Sequence, residues 1–233
     1  MFTLSTFAVR KGVQEMVIAV DVDGTLYDGV TVAEQAVDAL RGARATGHHV
    51  VIVTGRRWEA LGHVVPTILE LTDRVVCEEG GVLVNVNTEL LTLLADAVEP
   101  ELLAALVAAG VPGLDVGHVV IGAPTTWLDT VTEIRDRMKS RRAIITNKGS
   151  IALTPVGCNK ASGLRAAVAD LHLEPLPIIA IGDAMNDLAM FEIATIAVGV
   201  ANADDAVRAC GVPLTTASFG IGVAEALDRF LPR

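Results

Sequence analysis

Cysteine is sparse in this chain, and odd in number. Cys77, Cys158 and Cys210 stand far apart, a spacing that excludes a disulfide framework or a zinc site and leaves buried, reduced thiols as the expectation. Long apolar runs are missing too. Although 52% of the 233 residues are hydrophobic, Asp, Glu, Lys and Arg interrupt every extended stretch. No window supplies the roughly 20 uncharged residues of a spanning helix, so no membrane partner is expected. Basic charge is also short. Eighteen Lys and Arg face 28 Asp and Glu, a formal net charge of -10, which argues against a nucleic-acid surface but permits a small anionic substrate at a locally positive site. The first residues, MFTLSTFAVRKGVQ, lack the pattern of a secretory signal, and a cytoplasmic location is expected. There is no internal repeat and no low-complexity segment.

What the sequence does have is a strand that ends in carboxylates. Met16 to Val20 is apolar and β-branched, and it runs into Asp21, Val22, Asp23, Gly24 and Thr25, where a glycine turn must follow. A helix capped by Thr31 is expected, then a buried strand at His49–Val53 closed by Thr54, Gly55 and Arg56, a helix over Trp58–Leu71 and a strand at Arg74–Cys77. Such alternation predicts parallel pairing with right-handed crossovers. The same rhythm resumes late in the chain. Lys160–Leu171 reads as a helix, Ile178–Ile181 as a strand ending at Asp183, Asp187–Ala194 as a helix and Ile196–Val200 as a strand, with helices at Asp204–Cys210 and Val223–Phe230.

Between these halves the texture changes. Val82–Val86 and Glu89–Leu94 read as two arms of a hairpin, Glu99–Ala109 as a helix, Val116–Ile121 as a strand, Leu128–Ser140 as a helix, and Ala143–Thr146 with Ile151–Thr154 as a second hairpin. The predicted architecture is therefore α/β: a doubly wound, Rossmann-like parallel core made of residues 1–81 and 156–233, with an inserted α+β unit at 82–155.

Asp21, Asp23, Thr54, Lys160, Asp183 and Asp187 all fall at strand ends or helix starts, where a doubly wound sheet forms one crevice. Carboxylates crowded there repel one another, and a hard divalent cation, Mg²⁺, is the expected remedy. A cation, an ammonium and backbone N–H groups together make a seat for a phosphate dianion.

The segments DVDGTL (21–26), VIVTGR (51–56), GCNKASGL (157–164) and IGDAMNDLAMF (181–191) resemble the four ordered motifs of the haloacid dehalogenase superfamily of phosphatases. The insertion resembles, in position and rough size, the cap of the Cof-type branch. That branch includes sugar phosphatases and archaeal phosphoglycolate, sucrose-phosphate and mannosyl-phosphoglycerate phosphatases. The resemblance implies a Mg²⁺-dependent phosphatase acting on a small phosphorylated metabolite. It makes Asp21 the nucleophile and Asp23 the general acid and base. Thr54 and Lys160 would hold the phosphoryl group, completed by Val22, Gly24, Gly55, Arg56 and Asn186. Asp21, Asp23 (through its backbone carbonyl), Asp183 and Asp187 would hold the metal. A hexose phosphomutase and a non-catalytic phosphate-binding protein are the alternatives, and a monomer or a homodimer is compatible with the sequence.

Each piece alone has a plainer reading. DVDGT is ordinary turn chemistry, Thr54 and Gly55 can simply end a strand, Lys160 can be a solvated helix residue, and GDAMND can be a helix cap. The order of the four segments favours the functional reading. The histidines are scattered and read as structural, and Trp127 as packing. Arg135, Arg137, Lys139, Arg141, Arg142 and Lys148 form the dense basic stretch of this acidic chain. A solvated helix face is the simpler account, against the expectation that one or two of them, Arg141 and Arg142 first, reach the crevice. Glu79 departs from the resemblance, since related sequences place Asn there. Repulsion of an anionic substrate, acceptance from a substrate hydroxyl and pairing with an arginine of the insertion all remain open for it.

Overall fold

The computed structural model describes residues 14–147 and 149–232. Apolar, β-branched runs form the strands β1 (Val17–Val20), β2 (His49–Val53), β3 (Arg74–Cys77), β4 (Val82–Asn85) and β5 (Leu90–Leu93), then β6 (Asp115–Val116), β7 (Ile121–Pro124), β8 (Arg142–Asn147) and β9 (Ser150–Pro155), and finally β10 (Ile178–Gly182) and β11 (Ile196–Gly199). Seven of them make one sheet in the order β11-β10-β1-β2-β3-β4-β5, and β6-β7-β9-β8 make a second. Strands β11 to β3 run parallel, whereas β4 and β5 run antiparallel to their neighbours. The chain leaves β1 for β2 on one side and returns to β10 on the other. The topological switch point therefore lies between β1 and β10, and a crevice opens beyond their C-terminal ends.

Nine helices are described: α1 (Glu34–Ala45), α2 (Trp58–Val64), α3 (Pro66–Leu69), α4 (Pro100–Ala108), α5 (Leu128–Arg137), α6 (Lys160–Asp170), α7 (Leu188–Ile193), α8 (Asp205–Ala209) and α9 (Phe219–Phe230). Alternation along the strands sends Ile18, Val20, Val50 and Ile52 to one face, under Leu40 of α1, Leu61 of α2 and Leu227 of α9. Val17, Ala19, Val51 and Val53 point to the other face, under Leu164 of α6, Met190 of α7 and Val207 of α8. Both faces are thus covered, as a parallel sheet requires. The smaller sheet buries Ile121, Ile151 and Leu153 against Leu102 and Leu106 of α4 and Val131 and Ile134 of α5. Trp127 packs at the edge of that cluster. Among the described residues no helix is long and apolar enough to cross a membrane.

Several expectations are corrected. The hairpin at 82–94 does not belong to the smaller sheet. The tight turn at 78–81 folds β4 back onto β3, pairing Cys77 with Val82 and Val76 with Leu83, so the hairpin extends the larger sheet. The expected single helix over Trp58–Leu71 is broken at Pro66, which cannot donate to the preceding turn and starts α3 instead. The expected strand Val116–Ile121 is a hairpin, in which Val116 pairs with Ile121 across the turn between them. Thr31 does not cap α1, which begins after Ala33. Its N–H, like that of Val30, is instead held by the Asp28 carboxylate at 2.7 and 2.8 Å.

The basic stretch is corrected as well. Arg142 is buried, and its guanidinium donates to the carbonyls of Val119, Leu153, Asp96 and Ala97 while pairing with Glu99. It ties the segment before α4, the turn before β7 and strand β9 together, and is spent in doing so. Arg135 pairs with Asp136, and Arg137, Lys139 and Arg141 are exposed. Lys148 lies outside the described residues.

Replacing Arg142 with Ala is expected to strand several buried carbonyls and the Glu99 carboxylate, lowering the free energy of unfolding by about 3 kcal/mol. Arg141→Ala, on the surface, should stay within about 0.5 kcal/mol. Urea unfolding of the two variants beside the parent distinguishes these outcomes.

Candidate active site

Strand β1 delivers Asp21 to the crevice, and the Asp21 N–H continues the ladder by donating to the Ile181 carbonyl at 3.1 Å. From the other direction comes Lys160, the first residue of α6. Asn159 caps that helix: its side chain accepts from the Ser162 N–H, and the Ser162 hydroxyl accepts from the Asn159 N–H, both at 3.0 Å. The cap is seated on Gly80, whose φ of +102° puts the position a Cβ would take 1.9 Å from the Asn159 carbonyl oxygen. Only glycine permits this approach, and the approach sets where Lys160 begins.

Lys160 Nζ donates to Asp21 Oδ1 and to Asp187 Oδ1, both at 2.6 Å. The ammonium is fully buried, as is Asp187. The second oxygen of Asp187 accepts from the N–H groups of Asp183 and Ala184, at 2.8 and 3.0 Å. Asp187 therefore shapes the turn after β10 while it holds the lysine. Asp183, also fully buried, accepts from the Thr25 hydroxyl at 3.1 Å. Burial would lower the pKa of Lys160, but the carboxylates of Asp187, Asp21 and Glu79 outweigh it and hold the amine above its ordinary range, hence charged. Burial pushes the Asp21 carboxyl well above the usual carboxylate range. Lys160 pulls it back, and the charges of Asp187 and Asp183 add to the rise.

Asp21, Asp183 and Asp187 each offer an oxygen within 4.8 Å of the others. One ammonium facing three buried carboxylates leaves negative charge uncompensated, and the donors are all hard oxygens. This set fits a divalent cation of the Mg²⁺ or Ca²⁺ type.

Asp23 sits two residues beyond Asp21, at the wall of a cavity of about 510 Å³ that is also lined by Asp21, Gly55, Arg56, Glu79 and Asn186, and by Ile145 and Ile151 of the smaller sheet. Arg56 grips Asp23 with a fork, Nε to Oδ2 at 2.7 Å and a terminal nitrogen to Oδ1 at 2.6 Å. Thr54 is buried after β2, and its hydroxyl accepts from the Arg56 N–H at 3.2 Å. Val22 is packed into the core, so its side chain cannot reach a ligand. Gly24 turns the chain at φ +89°, and its carbonyl accepts from Asn202 at 2.8 Å.

The turn after β3 carries two buried glutamates with left-handed backbones, Glu78 at φ +52° and Glu79 at φ +54°. For residues with a Cβ this costs on the order of 1–2 kcal/mol each. Glu78 accepts from the N–H groups of His118, Val119 and Val120 at 3.0, 2.8 and 3.0 Å, which clasps the turn between β6 and β7 onto the larger sheet. Glu79 accepts from the Asn186 amide on both oxygens, at 3.0 and 3.1 Å. Among the described residues it pairs with no arginine of the insertion. Burial raises its pKa, opposed by Lys160 and the Asn186 hydrogen bond and reinforced by Asp187.

Sequence reasoning singled out neither Glu78, Thr25 nor Asn202. Thr25 lies inside the DVDGTL segment, and Asn202 follows β11 on the same edge of the sheet. Strand-end position was thus the signal available for both. None of the described residues of the basic stretch lines the cavity.

A family model described as haloacid dehalogenase-like hydrolase matches residues 18–109 and 116–227. The phosphoglycolate phosphatase of Methanothermobacter thermautotrophicus is 33% identical over 223 residues, spanning 92% of this chain and 98% of that protein. That of Natronomonas pharaonis is 33% identical over 231 residues, spanning 91% and 96%. Among solved structures, a haloacid dehalogenase-like hydrolase from Bacteroides thetaiotaomicron shares the fold with a TM-score of 0.77 at 19% identity, over 93% of this chain and all of that one.

Asp187→Ala is expected to leave the Lys160 ammonium half-paired and two backbone N–H groups unsatisfied, at a cost of about 3–5 kcal/mol in unfolding free energy. Chemical denaturation measures it; a loss below about 1 kcal/mol would contradict the structural part assigned to this carboxylate.

Proposed function

The chain belongs to the haloacid dehalogenase-like hydrolases, and we propose that it is a Mg²⁺-dependent phosphatase that cleaves a small phosphomonoester through an aspartyl-phosphate on Asp21. Its relatives are hydrolases of phosphomonoesters of small metabolites. The observation that carries the proposal is the Lys160 contact to Asp21 and Asp187, which opens on the cavity walled by Asp23 and Arg56.

In this reading the free oxygen of Asp21 attacks phosphorus as the ester oxygen departs opposite to it. Asp23 is held at the cavity wall as a carboxylate by the Arg56 fork; to act as the acid, one of its oxygens leaves the fork, takes a proton from water and gives that proton to the leaving oxygen. The alcohol departs, and Asp23, now a carboxylate, takes a proton from water as that water attacks the phosphorus of the aspartyl-phosphate. Inorganic phosphate leaves and Asp21 is regenerated. Lys160, which cannot shed its charge cheaply between two carboxylates, offsets the negative charge of the phosphoryl group once it is bound to the Asp21 oxygen as an acyl phosphate. Asp21, Asp183 and Asp187 would hold the cation, which when bound supplies electrostatic stabilisation for the spread charge of phosphoryl transfer. Residues 96–155 act as a lid whose inner wall excludes water from the cavity.

Purified protein is expected to release inorganic phosphate from p-nitrophenyl phosphate only with Mg²⁺, and chelation should stop turnover. Asp21→Asn should reduce kcat/KM by about 10³-fold or more, roughly 4 kcal/mol. Independently of activity, Mg²⁺ at 100 times its dissociation constant should raise the unfolding free energy by about 2.7 kcal/mol, and Asp183→Asn should erase most of that rise. Full activity in Asp21→Asn would overturn the assignment of the nucleophile.

A further inference from the structure

We propose that Glu79 is a specificity-determining acceptor that favours phosphomonoesters whose leaving group bears hydroxyls and no charge, a polyol or sugar, and turns away those whose leaving group bears a carboxylate. This rests on the phosphatase reading above and adds the class of leaving group to it.

The first observation is placement. Glu79 is 7% exposed yet lies on the cavity wall that Asp21 and Asp23 share. The chain has made room for it: a Cβ at Gly55 would stand 2.3 Å from Glu79 Oε1. Asn186 donates to both carboxylate oxygens and fixes their orientation. A carboxylate has about four acceptor sites, so capacity remains for a donor arriving from the cavity. Glu78 beside it is committed to three backbone N–H groups. Glu79 has no such duty; its side-chain partner among the described residues is Asn186, another residue of the cavity wall. A left-handed backbone that would suit Gly or Asn better carries a long acid here, whose charge also supports the buried Lys160.

The second observation is the balance of charge around the cavity. Arg56 is held by Asp23 and Lys160 by Asp21 and Asp187, while Arg57, whose buried Nε has no hydrogen-bond partner among the described residues, stands in an ion pair with Asp115 at 2.8 Å. Asp115 itself lines the cavity, and the facing wall includes the apolar Ile145 and Ile151. Among the described residues each cation lining the cavity has a carboxylate partner, and a second anionic group on the substrate would meet the charge of Glu79 on this wall. A hydroxyl meets an acceptor.

The test compares kcat/KM for glycerol 1-phosphate, phosphoglycolate and p-nitrophenyl phosphate, all with Mg²⁺, in the parent, Glu79→Gln and Glu79→Asn. Asn tolerates the left-handed backbone and guards against a Gln variant that fails to fold. The parent is expected to favour glycerol 1-phosphate over phosphoglycolate by about tenfold or more. Both variants should raise the ratio of phosphoglycolate to p-nitrophenyl phosphate turnover about tenfold. A parent that prefers phosphoglycolate, or ratios that do not move in either variant, would overturn the role of Glu79 while leaving the phosphatase intact. Absence of turnover of all three esters by the parent would remove the phosphatase reading, and this inference with it.

Discussion

A fully buried ammonium bonded to two carboxylates is the constraint around which this molecule is built. Lys160 can be charged in the interior only because Asp21 and Asp187 stand 2.6 Å from it, and removing either would leave an ion without water or partner. Each member arrives from a different part of the chain. Asp21 ends β1, Asp187 closes the turn after β10, and Lys160 opens α6, so the contact staples the two strands of the switch point to the helix above them. Packing enforces the same geometry from beneath, because the Asn159 cap rests on Gly80 at a distance that no side chain allows. Charge and shape therefore fix one position for the lysine.

Neighbouring features follow from that fixed point. With α6 seated on the turn after β3, the two glutamates of that turn are buried in left-handed conformations and face opposite tasks. Glu78 reaches up to three N–H groups of the β6–β7 turn and so fastens the smaller sheet to the larger. Glu79 reaches sideways to Asn186. The cavity is the space left between these two commitments, with a floor of charged strand ends and a largely apolar roof.

Much of this was legible in the sequence, and the limits of that legibility have physical causes. Strand-end carboxylates can be read because a buried apolar run that stops at Asp-X-Asp-Gly, as at 21–24, has few other structures available, and the alternation of strands and helices around it points to the architecture. What could not be read is which sheet a hairpin joins. Val82–Leu93 alternates as any hairpin does, and its allegiance is decided by a turn whose glutamates have backbone angles that their residue type does not announce. Arg142 illustrates the same gap. In sequence it belongs to a basic stretch with exposed Arg137, Lys139 and Arg141, whereas in the fold it is the buried hub for carbonyls from three segments. Local composition reports charge; it does not report which charge the interior will claim.

That claim on charge bears on how an acidic protein can hold an anion at all. With a formal net charge of -10, the chain cannot draw a phosphate dianion by its overall field, and attraction has to be local. Yet among the described residues the cations near the cavity are paired with carboxylates: Arg56 with Asp23, Arg57 with Asp115, Lys160 with Asp21 and Asp187. A dianion therefore needs positive charge from elsewhere, and the buried carboxylates Asp21, Asp183 and Asp187 are the donors that a divalent cation would require. Seen this way, the excess of carboxylates is not at odds with an anionic substrate. In the proposed mechanism it would make tight seating of the phosphate depend on the cation, and would leave the rest of the substrate to be chosen by hydrogen-bond acceptors and apolar wall.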